Sequence, residues 1–68
     1  MKTISINTEY IKLDQFIKWA DVVSTGAEAK ILIYDGCVKV NGETELRRGK
    51  KLRKGDTIEV DGDKFVIE

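Results

Sequence analysis

Along the chain the spacing of apolar side chains changes period twice. Residues 3–6 read Thr, Ile, Ser, Ile, an alternation that predicts a short strand with Ile4 and Ile6 on one face. From Leu13 the period lengthens. Leu13, Phe16, Ile17, Ala20 and Val23 fall at helical spacing and predict an amphipathic helix over 13–23. Lys12, Gln15, Lys18 and Asp21 take its polar side. Trp19 borders the apolar stripe and reads as a half-buried packing residue, in preference to a base-stacking platform.

Ser24-Thr25-Gly26 breaks the helical pattern, and Thr25-Gly26-Ala27-Glu28 has the form of a capping box. The Thr25 hydroxyl is expected to accept the N–H of Glu28, with the Glu28 side chain returning to the N–H of Thr25. A second helix then runs to about Asp35, burying Ala29, Leu32 and Ile33, and Gly36 is placed for its C-terminal cap. Beyond it the period becomes two. Val38 and Val40 point one way, Lys39 and Asn41 the other. Asn41-Gly42 signals a type I′ turn, Lys54-Gly55 the centre of a type II turn, and Asp61-Gly62 another hairpin turn. Thr57–Val60 and Lys64–Ile67 are strands, and the basic run Arg47–Lys54 is expected to be a loop with Leu52 reaching back to the core. The order strand, helix, helix, antiparallel sheet defines one α+β domain over residues 1–68.

A chain of 68 residues fills one small domain, burying only roughly 60% of the surface its unfolded form exposes. A substrate domain with a deep cavity has no room. The content of 41% apolar and 35% charged residues belongs to a folded, soluble protein. No apolar run approaches the roughly 20 residues of a membrane helix, and the N-terminus lacks the features of a signal peptide. Cys37, the only cysteine, precludes an internal disulfide and suits a reducing cytoplasm. Beside Val38 it reads as a small buried hydrophobe.

The net charge of zero conceals three blocks. Residues 1–35 carry four bases and five acids (−1), residues 36–55 seven and two (+5), and residues 56–68 one and five (−4). Within the middle block, Arg47-Arg48-Gly49-Lys50-Lys51-Leu52-Arg53-Lys54 holds six of the twelve cations in eight positions. Affinity for a polyanion follows the local field, so a neutral total does not oppose it. Catalysis finds few candidates. Histidine is absent, one cysteine builds no thiolate zinc site, and no glycine-rich phosphate loop occurs. A non-enzymatic protein is expected, with no cofactor, metal or small-molecule substrate.

Three features suit an anionic polymer. The start of the second helix, with Gly26 and Ala27, offers backbone N–H groups and the positive helix end. Lys30 and Tyr34 stand four apart on that helix, where Lys30 reaches a phosphate and Tyr34 stacks or bonds a ribose. Lys39 and Asn41 on the exposed strand face lead into Arg47, Arg48, Lys50, Lys51, Arg53 and Lys54. Because the second helix feeds directly into Lys39 and the basic run, all three are expected to converge on one side.

Gly26-Ala27-Glu28-Ala29-Lys30, Leu32-Ile33, Gly36-Cys37-Val38-Lys39-Val40-Asn41-Gly42 and Leu52-Arg53-Lys54-Gly55-Asp56 stand in an order that resembles a known family. It is the RNA-binding domain named after ribosomal small-subunit protein four (the αL motif). Ile11–Trp19 is similar to its first helix, and the resemblance covers about residues 10–60. Length and the Arg47–Leu52 segment are most similar to the stand-alone YaaA/YbcJ-type bacterial proteins. The resemblance implies two short helices on a small bent antiparallel sheet, a core over about 10–60, and binding of structured RNA, ribosomal or transfer RNA. It assigns that role to Lys12, Gly26, Lys30, Lys39, Asn41, Arg47, Arg48 and Lys50. Many relatives carry a basic residue beside the helix-two cap where this chain has Ala27-Glu28, which shifts weight to the loop. The expected partner is therefore folded RNA, bound by a cytoplasmic monomer. The alternative is a protein-interaction adaptor docking its basic loop on an acidic protein or ribonucleoprotein.

Overall fold

The computed structural model describes all residues, Met1–Glu68. Its elements in chain order are β1 (Lys2–Ile4), β2 (Ile11–Lys12), α1 (Leu13–Trp19), α2 (Gly26–Tyr34), β3 (Val38–Val40), β4 (Glu43–Thr44), β5 (Lys51–Leu52), β6 (Thr57–Val60) and β7 (Asp63–Ile67). The main sheet has the order β1-β7-β6-β3-β4, and β2 and β5 form a separate two-stranded ribbon. No helix is long and apolar enough to cross a membrane.

Helix α1 stops four residues short of the predicted Val23. Asp21 takes the left-handed conformation at φ 65°. Its N–H donates to Lys18 O at 3.1 Å and the Val22 N–H to Ile17 O at 3.2 Å, the two returning bonds of a Schellman closure. The apolar spacing overran this end because Val22 and Val23 pack against the core from the turn itself. Helix α2 ends the same way, with Gly36 at φ 78° donating to Ile33 O and Cys37 donating to Leu32 O. At its start the Glu28 N–H donates to Thr25 Oγ1 at 3.2 Å, as the capping box predicts. The reciprocal half differs. The Thr25 hydroxyl donates to Glu28 Oε1, so the carboxylate is met by the side chain instead of the Thr25 N–H. Leu32, expected in the core, is only half-buried at its edge, while Ala29 and Ile33 are fully enclosed.

The turns match their sequence signals. Asn41 and Gly42 have φ 52° and 87°, and Asp61 and Gly62 have 51° and 89°, the paired positive values of type I′ hairpins. Asp56 N–H donates to Arg53 O across Lys54-Gly55, and Gly55 has φ 96°. β3 pairs antiparallel with β4 and β6, and β6 with β7. One pair is parallel. β1 lies beside β7 with Lys2, Thr3 and Ile4 opposite Phe65, Val66 and Ile67. The sheet is thus mixed, because the two ends of the chain meet and everything between them, both helices included, serves as the crossover. β1 ends at Ile4, yet Ile6 N–H still donates to Glu68 O at 3.1 Å.

Twelve residues form the core, and no polar side chain is buried. Leu13, Phe16, Ile17, Ala29 and Ile33 come from the helices and Val38, Val40, Ile58, Val60, Phe65 and Ile67 from one face of the sheet. Leu52 of the ribbon completes it. Phe65 and Ile67 carry the core past residue 60, beyond the 10–60 that the resemblance covers. Phe16 meets Phe65 edge to face, with centroids 5.6 Å apart and planes at 84°. Cys37 corrects the expectation of a buried thiol, for it is exposed. Strand alternation explains it: with Val38 and Val40 inward, residue 37 points out with Lys39.

Candidate nucleic-acid interface

The ribbon and the basic run are one structure. β2 and β5 pair with Ile11 opposite Leu52 and Lys12 opposite Lys51. The first pair faces the core, and the second is exposed. Two lysines directly opposite one another repel, so this register carries an electrostatic cost that the Leu52 anchor overcomes. The predicted loop is therefore part strand. A strand of two residues falls below the length at which alternation is visible.

Backbone bonds tie the run to α1. Lys12, the N-cap of α1, makes no side-chain cap. Instead the Leu13 N–H donates to Lys50 O at 2.9 Å and the Asp14 N–H to Arg48 O at 3.1 Å. Asp14 Oδ1 accepts the N–H of Gln15. The orphan donors of the first turn are thus met by carbonyls of the basic run, which holds the run in place and leaves its side chains to solvent.

Tyr10 adds an aromatic residue that sequence reasoning missed. The Lys51 ammonium lies 4.9 Å from its ring centroid and the Arg53 guanidinium 6.0 Å. The only signal was its place two residues before Lys12. The protein has just two ion pairs, Arg47–Glu45 and Lys64–Glu59. Lys12, Arg48, Lys51, Arg53 and Lys54 therefore face solvent with no carboxylate partner, whereas Lys50 is half-buried and its charge helps to lower the Glu45 carboxyl. Arg47 differs. Its Nε and backbone N–H both donate to Glu45 Oε2, at 3.0 and 3.1 Å, and its second guanidinium nitrogen donates to Oε1 at 3.3 Å. The Arg47 side chain holds the Glu45 carboxyl below the usual glutamate range, with partial desolvation opposing it, and its own pKa rises in return.

On α2, Lys30 lies 5.7 Å from the Tyr34 ring centroid, a cation–π pair one helical turn apart. Both side chains are exposed, and so is Gly26 at the helix start. Space around Gly26 is open, with no atom within 4 Å of the position a Cβ would take.

Lys39 does not join these groups. Val38 and Val40 face the helices, so Lys39 points to the opposite side of the sheet, across from Glu59 and Thr44. Glu59 in turn reaches Lys64 at 3.7 Å. The expected convergence of all three features fails here because strand alternation separates Lys39 from the helix side. Asn41 is occupied internally. Its Oδ1 accepts the Thr57 N–H at 3.0 Å and the Thr57 hydroxyl at 3.3 Å, and its Nδ2 donates to Asp56 Oδ1 at 3.1 Å. Asp56 Oδ2 accepts the Arg53 N–H at 2.8 Å. The Val-x-Val-Asn-Gly and Gly-Asp segments are thus one hydrogen-bonded clamp that sets the backbone of Arg53.

A helix pair on one face of a small sheet, with a cationic ribbon docked on the first helix, defines a domain class. The chain belongs to the S4 domain family, which matches it over residues 4–68. Among its relatives is the probable ribosome maturation protein RlbA of Bacillus subtilis (strain 168), 49% identical over 59 residues, 87% of this chain and 83% of that protein. The putative RNA-binding protein YbcJ of Escherichia coli (strain K12) is 35% identical over 63 residues, covering 91% and 90%. The solution structure of E. coli YbcJ, described as having an αL motif involved in RNA binding, matches with a TM-score of 0.75 at 32% identity, covering 98% of this chain and 86% of that one. The crystal structure of 30S ribosomal protein S4e from Thermoplasma acidophilum shares the fold, with a TM-score of 0.71 at 24% identity. The match covers 85% of this chain but only 31% of S4e, so this chain spans under a third of that protein.

Proposed function

We propose that this protein binds structured RNA and performs no catalysis, acting as a cytoplasmic monomer on ribosomal or transfer RNA. The observation that carries the reading is the ribbon: Lys12 and Lys51 stand opposite one another, unpaired and exposed, on a strand pair anchored by Leu52. Such a register opposes folding and gains its purpose when an anion lies across it. Arg48, Lys50 and Arg53 extend the strip, and Lys30, Tyr34 and the open helix start at Gly26 form a second edge. Membership of the S4 domain family and the names of its relatives support the same partner.

Recognition is by shape and phosphate position, as expected for double-stranded and folded RNA. Lys12, Arg48, Lys50, Lys51 and Arg53 contact phosphates. Arg47 reaches the RNA only by exchanging Glu45 for a phosphate, Asn41 acts by positioning Arg53, and Lys39 stays outside the contact. With about five phosphates neutralised, the logarithm of affinity falls with the logarithm of salt concentration at a slope of roughly −3 to −5. Fluorescence anisotropy of a labelled RNA hairpin measures it. Replacing Arg48, Lys50, Lys51 and Arg53 by Gln should flatten the slope to about −1, the share of the remaining Lys12 contact; a slope unchanged by these substitutions removes the run from the interface.

A further inference from the structure

A groove of about 710 Å³ lies beside the ribbon, between the segment after β1 and helix α1. We propose that it is a stacking subsite for an unpaired nucleobase of the bound RNA, an inference that rests on the RNA-binding reading above. Its volume falls within the roughly 300–1,000 Å³ typical of small-molecule sites. Tyr10 and Trp19 line it, with Asn7, Gln15 and Lys18, and no carboxylate borders it.

Trp19 is the central observation. Packing was its expected role, but it is 67% exposed. Helical geometry gives the reason: at about 100° per residue it lies roughly 110° from the centre of the stripe formed by Leu13, Phe16, Ile17 and Ala20. The largest apolar side chain of the protein therefore contributes little to the core and stands open at a groove wall. An indole face in that position offers a sequence-tolerant platform for a base. Asn7 and Gln15 present carboxamides, which carry both donors and an acceptor suited to base edges. Tyr10 connects the groove to the cationic strip, since the ring that lines it also carries Lys51 and Arg53. A strand leaving the groove past Tyr10 brings its phosphates onto those cations, and Lys18 serves the other side. The absence of carboxylates disfavours a cationic ligand, and the continuity with the cationic strip favours a nucleotide, whose phosphate it can hold, over a neutral one.

Trp19 is the only tryptophan and reports on its own contact. The probes are an RNA hairpin with a short unpaired adenosine tail, the same hairpin with an abasic tail, and the hairpin alone. The tailed hairpin should quench Trp19 emission and bind about 5- to 150-fold more tightly than its abasic counterpart. Trp19→Ala, read by anisotropy of labelled RNA, should abolish that preference while leaving the salt slope unchanged, and Trp19→Phe should restore part of it. Equal affinity for the two tails with unaltered emission overturns the subsite and leaves RNA binding standing. A preference that survives Trp19→Ala overturns it as well. Failure of the parent protein to bind any of the three hairpins at low salt overturns the RNA-binding reading itself.

Discussion

Two surfaces of this molecule carry lysines on short strands, and they arrange them in opposite ways. On the outer face of the main sheet Lys39 lies across from Glu59, which also pairs with Lys64. On the β2–β5 ribbon Lys12 lies across from Lys51, with further unpaired cations on either side. The sheet face sets its lysines beside a carboxylate, with Lys64 ion-paired to Glu59 and Lys39 opposite the same residue. The ribbon leaves its charges repelling one another and is docked by the buried Leu52 together with the Leu13 and Asp14 backbone bonds. Equal numbers of lysines thus mean different things, and the cross-strand partner tells them apart.

The largest expected effect comes from removing that anchor. Leu52 is fully buried, and Leu52→Ala should destabilise the fold by about 2–5 kcal/mol in urea denaturation. A domain of this length has only roughly 3–10 kcal/mol in total, so the variant should be close to unfolding. A loss well below that range would mean that the ribbon is held mainly by the Leu13 and Asp14 backbone bonds.

Charge reversal sharpens the contrast at a smaller scale. Lys51→Glu places opposite charges across the ribbon and should stabilise the protein by about 0.2–1 kcal/mol while weakening RNA binding. Lys39→Glu faces Glu59 and should do the reverse, lowering stability by a similar amount with RNA affinity barely altered. Thermal melts and anisotropy on the two variants check both signs. Destabilisation by Lys51→Glu would show that the lysine pair is not a strained register.

The smallest effect concerns Glu45. Its carboxyl titrates below the usual glutamate range in the folded protein because Arg47 hydrogen-bonds it. The unfolded chain therefore takes up that proton first as pH falls. The stabilising contribution is complete above the ordinary glutamate value and disappears as pH drops through the lowered one. Glu45→Gln should flatten this part of the acid stability curve by lowering stability slightly at neutral pH and leaving it unchanged below the lowered value, as pH-dependent melting would record.

Much of this was legible from residue order. The two helices, β3, β6 and β7 and the turns at Asn41-Gly42, Lys54-Gly55 and Asp61-Gly62 followed from period and from those dipeptide steps, since such signals act over neighbouring residues. β4 did not, being two residues long. Nor did the ribbon. Two residues per strand show no period, and Ile11 meets Leu52 across a sequence separation of 41. Parallel pairing of β1 with β7 was hidden for the same reason. Trp19 and Cys37 were misplaced although the information was present: at about 100° per residue Trp19 stands well off the apolar stripe of α1, and the alternation that buries Val38 turns residue 37 outward. Within the site, the cations were readable as a run, but the separation of Lys39, the capture of Arg47 by Glu45 and the internal bonding of Asn41 depend on side-chain geometry.

Amide chemical-shift mapping during titration with an RNA hairpin tests the central claim most directly. Perturbations should concentrate on Tyr10–Lys12, Arg48–Arg53 and the start of α2, leaving Lys39, Glu59 and Lys64 unmoved. Shifts centred on the outer sheet face, with the ribbon silent, would contradict it.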